Sequence, residues 1–121
     1  MTISGIVHVQ LSIVPGGEDA ARHFYGRLLG LEELPKPEEL RDRGGCWFAC
    51  GSQEIHCGVE PEQPPSKRHP ALLTDELDAL RARLEDAGVR TEVDRQIPGY
   101  RRFYAWDPFG NRLELLERLP A

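Results

Sequence analysis

Between residues 6 and 14 the side chains alternate, with Ile6, His8, Gln10 and Ser12 on one side and Val7, Val9, Leu11 and Ile13 on the other. A period of two predicts a strand with one face for a core and one for polar groups. Pro15-Gly16-Gly17 ends it, and the period then lengthens. Ala21, Phe24, Tyr25 and Leu28 fall at i, i+3, i+4 and i+7, which predicts a helix over residues 18–29 with one apolar stripe. Gly30 stands where a helix needs a left-handed C-terminal residue. Short strands follow over 31–34, 46–50 and 54–59, and the charged segment 35–45 reads as a loop.

The second half repeats this order. A strand is expected over 69–74, then a helix over 76–87 capped by Thr74 or Asp75, with Leu77, Leu80, Leu84 and Ala87 as its buried stripe. Gly88 stops it, and strands follow over 89–93, 101–106 and 112–117, the last two joined by the turn chemistry of Asp107-Pro108-Phe109-Gly110-Asn111. A shift of 58 residues lays Ile55-His56-Cys57 over Leu113-Glu114-Leu115, Phe48 over Trp106, Gly30 over Gly88 and Glu18 over Glu76. Near the start the shift becomes 61 and lays His8 over His69; the three extra residues fall in the Pro15-Gly17 loop, where insertion costs little. The pattern is βαβββ twice, with modules at about 6–60 and 68–118 in a single domain 1–121, joined by a stiff proline-rich linker over 60–67.

Composition narrows what such a chain can do. Its 121 residues suffice for one core without staples. A formal net charge of −5 with no long basic run argues against a nucleic-acid partner. No apolar run is long enough for a membrane helix, and the N-terminus lacks the pattern of a signal peptide. Three cysteines, Cys46, Cys50 and Cys57, form no C-x-x-C and fit a reducing cytoplasm.

The repeat also pairs residues of metal-ligand type. His8 matches His69, and His56 matches Glu114. In strand parity His8, His56 and Glu114 point away from their helices, because their neighbours Val7 and Val9, Ile55 and Cys57, and Leu113 and Leu115 are apolar. For His69 the parity is mixed, since Ala71 and Leu73 share its face. Three imidazoles and a carboxylate suit zinc, nickel, manganese, cobalt or iron, with positions left open for water or substrate. A carboxylate inside an apolar strand is costly to bury unless it is paired, so Glu114 requires either a metal or an arginine such as Arg101, Arg102 or Arg112. His23 falls on the exposed side of its helix and has no role; Cys57 has core parity, and the face of Cys46 and Cys50 stays open. Residues 97–106 alternate aromatic and cationic side chains, and Arg102, Tyr104 and Trp106 there are candidates to bind an anionic or aromatic small molecule, ordinary strand packing being the alternative.

His8-Val9 on the first strand, Phe24-Tyr25-x-x-Leu28-Leu29-Gly30-Leu31 closing the first helix, and the run from His69 through Asp107-Pro108-x-Gly110-Asn111-x-x-Glu114 resemble the glyoxalase / bleomycin resistance / extradiol dioxygenase (vicinal oxygen chelate) superfamily over nearly the whole chain. The resemblance implies an α+β fold in which two βαβββ modules form a curved, half-barrel mixed sheet around a central cleft. It implies metal ligands at His8, His56, His69 and Glu114, with Glu114 also the catalytic carboxylate. Members often carry a carboxylate where this chain has His56, so that residue is open to three roles: ligand, hydrogen-bond partner of substrate, or lining. The implied function is a divalent-metal lyase or isomerase, with an extradiol-type dioxygenase as a close variant using His8, His69 and Glu114. The alternatives are a metal-free antibiotic-binding protein of the bleomycin-resistance kind and thiol transfer to an antibiotic. A homodimer is also implied, with the cleft intra-chain or built across the pair. Fold alone does not choose among these.

Overall fold

The computed structural model describes residues 2–121. The chain divides into two compact units, one reaching to Gln63 and the other running from Pro64 to Ala121. Each unit is an α+β module with one open four-stranded mixed sheet, as the two-module pattern predicts.

In the first unit the order is β1 (His8–Ile13), a helical segment, β2 (Glu33–Leu34), a 3₁₀ turn (Glu38–Arg43), β3 (Cys46–Cys50) and β4 (Gln53–Val59). The sheet runs β1-β4-β3-β2, with β1 parallel to β4 and the rest antiparallel. The helical segment opens as α1 (Glu18–Ala21) and widens into a π-helical stretch (Arg22–Leu28), where the Leu29 N–H reaches the Phe24 carbonyl at 3.0 Å. The stripe read from the sequence is the buried one: Ala21, Phe24, Tyr25 and Leu28 lie in the core with Ile13, Cys46, Phe48, Ile55 and Cys57. Each such large side chain contributes roughly 1.5–3 kcal/mol by leaving water. Cys46 and Cys50 share the parity of Phe48; Cys46 is buried, Cys50 half-buried, and none of the three cysteines forms a disulfide among the described residues. The segment read as a loop over 35–45 carries the 3₁₀ turn and closes on Gly44-Gly45, both at positive φ. There the Gly45 N–H donates to Glu18 Oε2 at 2.8 Å, and Lys36 Nζ donates to the Gly44 carbonyl.

That contact has a pH consequence. The hydrogen bond from the Gly45 amide holds the Glu18 carboxyl below the usual carboxylate range. A lowered folded-state value adds stability that is complete above the ordinary glutamate value and is lost as pH falls through the folded one. We expect Glu18→Gln to flatten the acid limb of a urea-midpoint-versus-pH profile while leaving its slope near neutrality unchanged; an acid limb identical to that of the parent would contradict this.

In the second unit the order is β5 (Ala71–Leu73), α2 (Leu77–Asp86), β6 (Thr91–Glu92), β7 (Tyr100–Trp106) and β8 (Arg112–Arg118), and the sheet runs β5-β8-β7-β6. Leu77, Leu80 and Leu84 of α2 are buried, as are Phe103, Ala105, Leu113 and Leu115. The expected strand over 69–74 is shorter: pairing begins at Ala71, because Pro70 has no N–H to give the ladder and only its carbonyl accepts, from Glu114 at 3.0 Å. Neither Thr74 nor Asp75 is the N-cap. Glu76 is, and the Leu77 amide is satisfied from the sheet by Glu117 Oε1 at 3.0 Å.

The two ladders refine the repeat. Gln10 pairs with His56 and Ala71 with Glu114, so His8 and His69 each lie two residues before equivalent positions. In the hairpins, however, His56 faces Trp47 while Glu114 faces Tyr104. The second hairpin is one residue longer, so the shift there is 57 rather than 58. Laying Phe48 on Trp106 was one residue out of register, and a one-residue slip exchanges faces: Phe48 is core, and Trp106 is on the other side.

Candidate functional site

Each sheet turns one face to its helix and one away. In the first unit the outward face carries His8, Gln10 and Ser12 from β1, Glu54, His56 and Gly58 from β4, and Trp47 from β3. His56 is the centre of a ring stack. His8 lies 3.9 Å from it on one side and Trp47 3.8 Å on the other, both nearly parallel. Its Nε2 meets Glu54 Oε1 at 2.8 Å. The imidazole is buried, therefore, with both faces and one nitrogen engaged. Gln10 lies across Gly58, where a Cβ would fall 2.5 Å from its amide nitrogen, so a glycine is required at that point for the polar side chain to lie flat. Trp47 was not singled out by the sequence. Its parity, opposite to Cys46, Phe48 and Cys50, was the available signal, but the face of that strand was not fixed until its ladder was known.

In the second unit the outward face carries Arg102, Tyr104 and Trp106 from β7 and Arg112 and Glu114 from β8, with Arg90 and Glu92 beside them on the β6 side. Its anchor is the β7–β8 turn. Buried Asp107 accepts the amide hydrogens of Phe109 and Asn111 at 2.9 and 2.8 Å and the Asn111 side-chain amide at 2.8 Å. This fixed turn sets Arg112 opposite Trp106 and Glu114 opposite Tyr104.

Glu114 is buried, with its residue only 7% exposed. Its Oε1 lies 2.9 Å from His69 Nε2, and its Oε2 lies 3.4 Å from Arg102 Nη1. Of the three arginines considered for it, Arg102 is the one beside it. Arg101 instead binds Asp78 through its Nη2 at 2.6 Å on the surface, and Arg112 stacks on Tyr104 with its guanidinium carbon 3.7 Å from the ring centroid. Arg102 also donates to the Tyr104 hydroxyl at 2.6 Å and to the Arg95 carbonyl. The Arg90 guanidinium lies 3.8 Å from the Trp106 ring centroid and pairs with Glu92 at 2.8 Å. Arg90 was missed from sequence, and Arg112, expected as a possible partner of Glu114, lies on Tyr104 instead, because neither spacing nor parity marks an arginine as stacked.

The donor set around His69 decides whether a metal fits. His69 Nδ1 lies 2.8 Å from the Lys67 carbonyl, which only accepts, so Nδ1 carries a proton. Nε2 then faces a carboxylate oxygen, also an acceptor. The two atoms lie 2.9 Å apart, a separation served by a proton or by a cation shared between them. A histidine whose Nδ1–H is fixed on a backbone carbonyl while Nε2 points at a carboxylate has the orientation of a metal ligand with its supporting hydrogen bond. Donor atoms bound to one metal at about 2.0–2.2 Å stand roughly 3 Å apart, and this pair supplies two donors at such a separation. Among the described residues no three His, Cys, Asp or Glu side chains converge as a complete metal cluster. The structure thus joins His8 with His56 in one unit and His69 with Glu114 in the other, and Arg102 and Tyr104 with Glu114.

Two βαβββ modules, each with a polar sheet face opposite a helix-covered apolar one, define a class of two-module α+β proteins. The profile of the glyoxalase / bleomycin resistance protein / dioxygenase superfamily matches residues 5–115, and the chain belongs to that superfamily. It is similar to a protein of Bacillus anthracis assigned to the glyoxalase family, with 49% identity, 98% of each chain covered and a TM-score of 0.90. A lactoylglutathione lyase from Agrobacterium tumefaciens shares 25% identity over 96% of this chain and 95% of its own, with a TM-score of 0.73. A fosfomycin resistance protein from Listeria monocytogenes shares the fold at 20% identity, covering 98% and 96%, with a TM-score of 0.78. No curated protein matches the sequence. Among the described residues no helix is long and apolar enough to cross a membrane.

Proposed function

We propose that this chain is a glyoxalase-like, divalent-metal-dependent enzyme that acts on a small molecule through two of its neighbouring oxygens, in a lyase or isomerase reaction. The observation that carries the reading is the His69–Glu114 pair, a ring nitrogen and a carboxylate oxygen held 2.9 Å apart with the ring braced from behind by the Lys67 carbonyl. His69 and Glu114 would hold the metal. His8 and His56 complete the proposed ligand set on the strength of the sequence repeat, His8 being matched to His69 by ladder position. When bound, zinc, nickel, manganese, cobalt or iron supplies Lewis-acid polarisation of substrate oxygens. The Glu114 carboxylate, when released from the metal, would take a proton from the substrate and return it, in a site dry enough for a carboxylate to act as base. Arg102 steadies that carboxylate through Oε2 and holds the Tyr104 hydroxyl beside it. His56, already stacked and bonded to Glu54, is suited to fixing the plane of His8. The similarity to a lactoylglutathione lyase and to a glyoxalase family protein supports the lyase form. A homodimer, as superfamily members often form, and a cytoplasmic setting belong to the same proposal.

A second reading, a metal-free small-molecule-binding or resistance protein, is favoured by one feature: the stacked arginines and aromatics of the second unit line a cavity without help from any ligand set. Metal content separates the two. Protein purified without chelator and titrated with zinc, nickel, manganese, cobalt and iron(II) is expected to retain about one metal per chain through gel filtration. Failure to retain any of the five would eliminate the enzyme reading and leave the binding protein.

A further inference from the structure

We propose that the outward face of the second unit holds the oxyanionic end of a small molecule, a carboxylate or phosphoryl group, on the guanidinium of Arg112. The inference rests on reading this face as the substrate-binding one and adds the chemical class of what binds. Arg112 opens β8 directly opposite Trp106. Its stack on Tyr104, 3.7 Å from carbon to ring centroid, fixes the plane of the guanidinium without using an N–H. Its Nε is buried and has no hydrogen-bond partner among the described residues. A cationic N–H withdrawn from water and left unmatched is unfavourable, and because Nε itself is closed to solvent, an anion in the cavity would offset the charge from the terminal N–H groups, with the two-pronged geometry that guanidinium offers carboxylates and phosphates.

The neighbouring cations are committed elsewhere. Arg102 donates to the Arg95 carbonyl, the Tyr104 hydroxyl and Glu114. Arg90 is bound to Glu92 and lies over Trp106. Arg112 lines a cavity of about 540 Å³, within the range of small-molecule sites. Lys67, Arg90 and Arg112 there face two carboxylates, Glu92 and Asp94. Glu92 is neutralised by Arg90, and Asp94 accepts the Arg95 amide at 2.7 Å. The cavity is thus a cationic spot on a chain whose net charge is −5, which favours anions over cations at that place.

The probes are benzoate, phenyl phosphate and neutral benzamide, titrated calorimetrically into metal-free protein at low and moderate salt. Benzoate or phenyl phosphate is expected to bind, more weakly as salt rises, and benzamide is not; which anion binds tells carboxylate from phosphoryl. Arg112→Gln is expected to weaken binding by about tenfold or more and Lys67→Gln by a smaller factor. Benzamide binding as well as the anions, no binding of either anion to the parent protein, or unchanged binding in Arg112→Gln would each overturn the proposal. Should Arg112→Gln fail to fold, Arg112→Lys keeps the charge and loses the fork, and unchanged affinity there would count equally against it. Metal uptake, measured on the same samples, is expected to survive in Arg112→Gln. Anion binding that depends on Arg112 in a parent protein that retains no metal would sink the metal reading alone.

Discussion

Glu114→Gln is expected to abolish metal retention and activity while leaving a folded protein. The amide keeps the shape of the side chain, and one oxygen can still accept from Arg102, but the anionic oxygen facing His69 Nε2 is gone. Losing a partner that merely supports a ligand costs about 10–100-fold in metal affinity; losing a charged ligand is expected to cost at least the upper end of that range. The competing account makes Glu114 simply the buried partner of Arg102. Breaking a buried pair destabilises by about 3–5 kcal/mol because the other charge is stranded. Here Arg102 would not be stranded, since it keeps the Tyr104 hydroxyl and the Arg95 carbonyl. The metal-free variant is therefore expected to lose no more than about 1 kcal/mol by urea unfolding. A large loss of stability together with unchanged metal retention would make Glu114 a structural residue.

Gly45→Ala is expected to be the most damaging glycine substitution in the chain. Gly45 sits at φ +82°, and a Cβ there would fall 2.2 Å from the backbone carbonyl oxygen of Cys57. Backbone cannot rotate aside as a flexible side chain can, so β3 would have to move off β4 at the Cys46–Cys57 pair. The hydrogen bond from the Gly45 amide to Glu18 would be strained by the same movement. The left-handed backbone alone costs alanine about 1 kcal/mol. With the clash added, a loss of more than 3 kcal/mol is expected. Gly88→Ala is the control: φ is +80°, but nothing lies within 4 Å of its Cβ, so only the first cost applies. Urea midpoints of the two variants check this directly, and equal losses would show that the clash relaxes without cost.

Much of the candidate site was legible because strand parity is a local property. Leu113 and Leu115 on one side put Glu114 on the other, and the structure places the two leucines in the core and Glu114 on the outward face with Arg102. What parity could not say is how far a strand extends or which residue faces which. His69 lies before the strand rather than in it, because Pro70 cannot donate. The repeat was read one residue out of register at β3, because its two hairpin turns differ in length and a constant shift cannot absorb that difference. Trp47 and Arg90 went unremarked, and Arg112 was considered only as a partner for Glu114, because an aromatic or an arginine becomes part of a stack only through a neighbour on another strand.

The amino-acid order by itself determined the two βαβββ modules, the helix stripes, the glycine stops and the outward direction of His8, His56 and Glu114. Those follow from periods of 2 and 3.6 residues and from the backbone freedom of glycine, which act within a few residues of chain. Only the tertiary structure decided the partners: His56 between His8 and Trp47, His69 against Glu114, Arg112 flat on Tyr104 with an N–H to spare. Partnership depends on ladder register and turn length, and these are set by packing over the whole module rather than by any short stretch of it.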